Sequence, residues 1–194
     1  LYGEAGAGAD LEILTLMLQG LSACGVKTVQ LDVGHVGVYR ALAQEAGLSG
    51  EVEHQLFGAL QAKDSSAVAV LTAGLPVVLR DGFAALPQLY GDRSILAEAR
   101  ARLPQLATVA AALDALEMLD QGLANVEAAY DLAELRGYGY HSGVVFAAYT
   151  GGRSHAIAQG GRYDEVGRVF GRARPATGFS LDLRELAIAS SDAP

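Results

Sequence analysis

The sequence predicts an α+β fold, with an antiparallel sheet flanked by helices. Three observations carry that class. Helix-period and strand-period apolar spacing alternate once over residues 10–47. Residues 48–122 are helical in pattern throughout, and after Gly122 the apolar period falls to two. Strands gathered after a run of helices mark segregated layers rather than repeated βαβ units. At 194 residues with 51% hydrophobic content, the chain is long enough and apolar enough for one sizeable core.

Asp10 reads as the N-cap of the first helix, whose wide apolar face is Leu11, Ile13, Leu14, Met17, Leu18 and Leu21. Gly25 ends it. Cys24, within this apolar run, reads as a buried inert thiol. As the single cysteine it excludes an internal disulfide and a multi-thiolate zinc site, and it fits a cytosolic protein. Val29, Leu31 and Val33 alternate with Gln30 and Asp32, which gives a strand with one buried face, broken at Gly34. Gly34 or His35 opens a second helix carrying Val38, Leu42 and Ala46, stopped by Gly47.

Within a core spanning 1–194, residues 48–103 read as a helical insertion. Short Ala- and Leu-rich pieces there are cut by Gly58, Gly74, Pro76, Gly82, Pro87 and Gly91, and no strand alternates cleanly. Pro104 fits the first turn of a long helix that buries Leu106, Val109, Leu113, Leu116 and Leu119 and closes at Gly122. Val126, Ala128, Tyr130 and Leu132 alternate as a half-buried strand. Residues 144–149 are continuously apolar and so form a more central one. Gly151-Gly152 signals a hairpin turn, residues 155–159 return antiparallel, and Gly160-Gly161 ends that strand. Residues 178–187 form a short segment entering a final helix.

A net charge of −8 argues against the chain wrapping nucleic acid by itself, and no apolar run reaches the eighteen residues of a membrane span. The start, Leu1-Tyr2-Gly3-Glu4, has neither initiator Met nor basic leader. It reads as the interior of a longer protein, so the chain is expected to be a fragment lacking its N-terminal part. Charge is uneven: seven of the fourteen basic residues lie in 136–184, against three acids. This local positive balance suits an anionic small ligand or an acidic partner surface.

Three clusters in that region can carry chemistry. Residues 136–143, Arg-Gly-Tyr-Gly-Tyr-His-Ser-Gly, set rings, an imidazole and a hydroxyl between glycines that let backbone approach a ligand. A plain Gly-rich loop with surface tyrosines explains the same residues. Residues 159–164, Gln-Gly-Gly-Arg-Tyr-Asp, can hold a carboxylate or an amino group, or form an ordinary turn with a structural Arg162–Asp164 contact. Residues 174–186 can equally be a capped amphipathic helix burying Leu181 and Leu186.

In order and spacing these clusters resemble the class II histidyl-tRNA synthetase core. The first is similar to its histidine loop, Arg-Gly-Leu-Asp-Tyr-Tyr-Thr-Gly, and the second to Gly-Gly-Gly-Arg-Tyr-Asp. The third sits where motif 3 belongs, and the resemblance covers nearly the whole chain. Motif 3 departs from the synthetase pattern: Asp182 stands at its Gly, and Glu185 at its terminal Arg, with Arg184 beside it. Residues 141–149 and 175–186 more closely resemble the regulatory subunits of ATP phosphoribosyltransferase. That resemblance implies a cytoplasmic, non-catalytic activator without cofactor or metal. Its implied partners are a short-form catalytic subunit and free histidine, in a hetero-oligomer with a homodimer through the class II core. The implied histidine-binding residues are Arg136, Tyr138, Tyr140, His141, Gly160, Gly161, Arg162 and Tyr163, and motif 3 is degenerate at Asp182, Arg184 and Glu185. The alternative is the catalytic core of an active histidyl-tRNA synthetase.

Overall fold

The continuously apolar strand predicted for the centre of the sheet is central. In the computed structural model, which describes residues 1–124, 126–150 and 155–191, β4 (Val144–Tyr149) pairs with β1 (Gln30–His35) on one side and β5 (Ala158–Arg162) on the other. With β2 (Tyr90–Gly91), β3 (Ala128–Asp131) and β6 (Thr177–Leu181), they form one sheet in the order β2-β3-β1-β4-β5-β6. The antiparallel expectation holds for every pair but one, because β1 and β3 run parallel. Residues 36–127, most of them helical, separate these two strands. A crossover that long lets the chain return in the same direction, which a hairpin cannot do.

Among the described residues eight helices accompany the sheet: α1 (Ala7–Ala23), α2 (Val36–Glu45), α3 (Gly50–Gln61), α4 (Ser65–Thr72), α5 (Val77–Ala85), α6 (Ser94–Arg102), α7 (Ala107–Gly122) and α8 (Leu183–Ser191). Residues 48–103 hold α3 to α6 and also β2, whose two residues are too few to show alternation. α7 starts three residues after Pro104. Leu106 is extended and caps it, while the Pro104 ring lies where a Cβ on Gly82 of α5 would fall, 2.8 Å away.

Pleating puts Leu31, Val33, Phe146, Ala148 and Ala158 on one sheet face, all at most 3% exposed. They join one core with Ile13, Leu14, Met17 and Leu21 of α1 and Leu113, Leu116 and Leu119 of α7. Burial of each large side chain contributes roughly 1.5–3 kcal/mol.

Several local expectations change. α1 begins at Ala7 with Gly6 at its N-cap, so Asp10 lies inside the first turn, buried rather than capping. Cys24 is exposed, because it follows the last buried residue of α1, Leu21, at the helix end. β1 runs through Gly34 to His35, whose Nδ1 caps α2 by accepting the Gly37 N–H at 3.1 Å. β3 is shorter than the alternation over 126–132. β5 runs through Gly160 and Gly161 instead of ending there. A Cβ on Gly160 would fall 2.2 Å from the Gly178 carbonyl and 2.8 Å from the Phe146 ring, so glycine is what lets this strand pack. The Gly151-Gly152 turn lies outside the described residues.

Candidate functional site

On the face opposite the core, pairing aligns one residue from each of four strands: Asp32, Ala147, Gln159 and Ser180. The next row along the strands is Gly34, Val145, Gly161 and Gly178. Side chains from the loops occupy the space these glycines leave. A Cβ on Gly161 would meet His141 Nδ1 at 2.9 Å, and one on Gly178 would meet the Tyr163 hydroxyl at 2.5 Å. Asp32, Ala147, Gln159 and Ser180, with Val145 and Gly178 of the next row, form the floor of a cavity of about 340 Å³.

Its walls come from the first two clusters. Gly137, at φ +66°, turns the loop so that the Tyr140 and His141 N–H groups both donate to its carbonyl at 2.8 Å. The rings of Tyr140 and Tyr163 lie 5.2 Å apart, and His141 is edge-on to Tyr140 at 5.3 Å. His141 Nδ1 lies 3.3 Å from the Arg162 carbonyl. With Nδ1–H donating to that oxygen, Nε2 is left as an acceptor. Burial, partly offset by this bond, holds the His141 pKa below its ordinary value. Glu134 and Arg136 line the cavity beside Asp32. Arg136 donates to Glu134 Oε2 at 3.0 Å and to the Tyr149 hydroxyl at 2.9 Å.

Asp32 drew no attention in the sequence beyond its place in an alternating strand. Its Oδ1 is buried and has no hydrogen-bond partner. Burial, with Glu134 nearby, raises its pKa. An acidic residue on the exposed phase of an otherwise buried strand was the only available signal.

Of the residues singled out in the sequence, Arg136, Tyr140, His141, Gly160 and Tyr163 line the cavity, and Gly161 lies under His141. Arg162 does not line it. Its guanidinium donates through Nε to Asp10 Oδ2 (3.0 Å), through Nη1 to the Glu4 carbonyl (3.0 Å) and Asp164 Oδ1 (3.2 Å), and through Nη2 to the Gly6 carbonyl (3.0 Å). It clamps the start of the chain to β5, so a ligand-gripping role is replaced by a structural one. Tyr138 also points elsewhere. Its ring packs against Tyr39 and Phe57 beneath the Arg40 guanidinium, and its hydroxyl donates to Glu53 Oε1 at 2.6 Å. Tyr138→Phe in the intact protein is expected to cost about 1 kcal/mol of stability in urea denaturation, the scale of one such bond, and to leave ligand affinity unchanged.

Asp182, Arg184 and Glu185 are absent from the described lining. Asp182 Oδ1 accepts the Arg184 and Glu185 N–H groups at 3.0 and 3.1 Å, capping α8. Its carboxylate is thus committed to capping the helix. Among the described residues no group of three or more His, Cys, Asp or Glu is placed to hold a metal ion, and no helix is long and apolar enough to cross a membrane.

A mixed sheet with helices on its core face and a Gly-floored cavity on the other is the class II aminoacyl-tRNA synthetase-like fold. The chain belongs to the histidyl-tRNA synthetase family, whose model matches residues 1–186. Within it, the chain is 80% identical over 98% of its length to a protein of Thiobacillus denitrificans named ATP phosphoribosyltransferase regulatory subunit. It is 56% identical over 96% to one of the same name from Ralstonia nicotianae. It spans 59% and 48% of those two relatives. The crystal structure of an ATP phosphoribosyltransferase regulatory subunit/histidyl-tRNA synthetase from Bacillus halodurans matches with a TM-score of 0.85 and 28% identity, covering 97% of this chain and 51% of that one.

Proposed function

We propose that this chain is the synthetase-like core of a regulatory subunit of ATP phosphoribosyltransferase. It binds free histidine in the cavity and acts on a short-form catalytic subunit, required for that subunit's activity and for its feedback inhibition. The observation that carries this reading is the composition of the cavity. Three aromatic rings stand at one side and an unpaired carboxylate at the other, a shape suited to an aromatic amino acid. The relatives' shared name supports the regulatory role.

Adenylating histidine would require fixed cations where charge develops on departing pyrophosphate, and losing one such group costs several kcal/mol. Among the described lining residues the one guanidinium is Arg136, already held by Glu134 and Tyr149. Arg184 is exposed at the start of α8 and is absent from the described lining. The relatives' name, a regulatory subunit, favours a sensor over an active synthetase.

The test is calorimetric titration of the intact protein with histidine, beside ATP–pyrophosphate exchange at saturating histidine and magnesium. Histidine is expected to bind and exchange to be absent; robust exchange would establish the synthetase reading instead. Tyr140→Ala is expected to weaken histidine binding roughly tenfold, about 1.4 kcal/mol, the upper range of an aromatic pair. By linkage, substrates whose binding histidine weakens must weaken histidine binding by the same factor in the complex with the catalytic subunit.

A further inference from the structure

A groove of about 310 Å³ lies between α2 and α7 and shares no lining residue with the cavity above. Its α2 side repeats at helical spacing: Gly37, then Arg40 with Ala41, then Gln44. Thr108 and Ala112 do the same on α7. The small residues make a narrow apolar floor, and each polar group beside it can donate a hydrogen bond. No Asp or Glu is among the described lining residues. On a chain of net charge −8, a lining with a guanidinium and no acid is a local reversal of sign.

Two of these donors are held in place and unused. His35 uses Nδ1 to accept the Gly37 N–H, so in the neutral ring Nε2 carries the proton, and it finds no acceptor among the described residues. Arg40 donates through Nη2 to the Tyr138 carbonyl and lies over the Tyr138 ring. Its Nε and Nη1 have no acceptor, and it pairs with no carboxylate, among the described residues. The first turn of α7 lies beside them without a side-chain cap at Leu106, which adds the partial positive charge of open backbone N–H groups.

We propose that this groove docks an acidic side chain, aspartate or glutamate, presented by the catalytic subunit. This rests on the reading of the chain as a regulatory subunit and names the surface where its partner sits. One guanidinium matches one carboxylate, whose two oxygens it can grip together. A phosphate dianion would be left half compensated. The groove is also open, with Gln44, Thr108 and Ala111 exposed along it. A free metabolite is usually enclosed over most of its surface. A side chain held by the rest of a protein interface needs no such enclosure, and its stem lies on Ala41 and Ala112. The location suits the partner that histidine controls. Arg40 lines the groove and also bonds the backbone of residues 136–143, the loop that carries Tyr140 and His141 into the histidine cavity. A partner carboxylate on Arg40 therefore meets the same side chain that holds that loop.

The test is the affinity of the intact regulatory protein for the catalytic subunit, measured by surface plasmon resonance at low and at moderate salt. The variants are Gln44→Glu, Thr108→Glu and Gln44→Lys. Each glutamate sets a like charge where the acidic side chain would arrive and is expected to weaken the complex by about tenfold or more at low salt. Gln44→Lys is expected to tighten it roughly threefold and to steepen its salt dependence. Neither position lines the histidine cavity, so histidine binding by the isolated variants is expected to match that of the unsubstituted protein. Thr108→Glu puts an acid in the first turn of α7, which favours the helix, so weakened docking there would not come from unfolding.

Glutamate variants that bind the catalytic subunit as tightly as the unsubstituted protein would overturn the assignment and leave the regulatory reading standing. Sedimentation showing that these variants lose only self-association would overturn it too, by making the groove a contact between copies of this chain. So would a calorimetric signal with glutarate that Thr108→Glu abolishes while partner affinity stays unchanged, since the groove would then be a small-molecule site. If the unsubstituted protein fails to bind the catalytic subunit, the regulatory reading fails first and the docking assignment with it.

Discussion

Arg162→Ala in the intact protein is expected to lower the unfolding free energy by about 3–5 kcal/mol, the cost of removing one partner of a buried ion pair. Asp10 is 2% exposed and Arg162 6%, and the guanidinium makes four hydrogen bonds, two of them to backbone carbonyls of the first six residues. Without it, the Asp10 carboxylate stays buried with its strongest donor gone, and the Glu4 and Gly6 carbonyls each lose one hydrogen bond. Burial already raises the Asp10 pKa, and the Arg162 bond is the first of the opposing influences. Removing that bond drives Asp10 toward the neutral acid, which trims the loss but does not abolish it.

Urea denaturation of Arg162→Ala, Asp10→Asn and the double variant measures this. The double variant is expected to be well short of the sum, because removing both charges leaves none buried alone. Strict additivity would show that the two residues do not act as a pair. A ligand role for Arg162 would give the reverse pattern, with near-native stability and lost histidine affinity.

The same residue shows what local reading can and cannot reach. Residues 159–164 are legible as a special turn, because a glycine pair followed by Arg, Tyr and Asp has few ordinary uses. The partner that decides what Arg162 does is Asp10, 152 positions away in sequence. No periodicity links the two. Tyr138 fails for a related reason: in an irregular loop, side chains at 138 and 140 need not share a side, so composition alone could not separate the one that docks on α3 from the one that lines the cavity.

Elements with strong periods were legible. β1, β4 and α7 bury one face or both, and burial writes a pattern into composition. Strand direction leaves no such trace. The parallel β1–β3 pair and the two-residue β2 depend on contacts between distant segments. Family likeness supplied the cavity's two loops. Asp32 escaped both routes, since it belongs to none of the three clusters and looks like any polar residue on the outward phase of a strand.

Acid sensitivity is expected to trace in large part to one imidazole, His35. Its Nδ1 accepts the Gly37 N–H at the start of α2, so protonating it would break the cap. Desolvation, with Arg162 and Arg40 as nearby positive charges, lowers its pKa from 6.5 to about 4. The unfolded chain therefore binds a proton between roughly pH 6.5 and 4 that the folded chain refuses, and stability rises with pH across that window. The contribution is complete above pH 6.5 and falls away as pH drops toward 4. Its full size is about 3 kcal/mol, from a gap of some two and a half pH units at about 1.4 kcal/mol each. Asp10 and Asp32, whose pKa values are raised by burial, act with the opposite sign, since their folded forms hold protons more tightly. The comparison that isolates His35 is urea denaturation of the intact protein and of His35→Asn at pH 7.5, 6, 5 and 4.5. Asparagine can accept the same N–H but does not titrate. The gap between the two proteins is expected to shift by about 2 kcal/mol or more in favour of His35→Asn between pH 7.5 and 4.5. Parallel pH profiles would mean that His35 titrates normally in the folded protein and that its cap does not depend on a neutral ring.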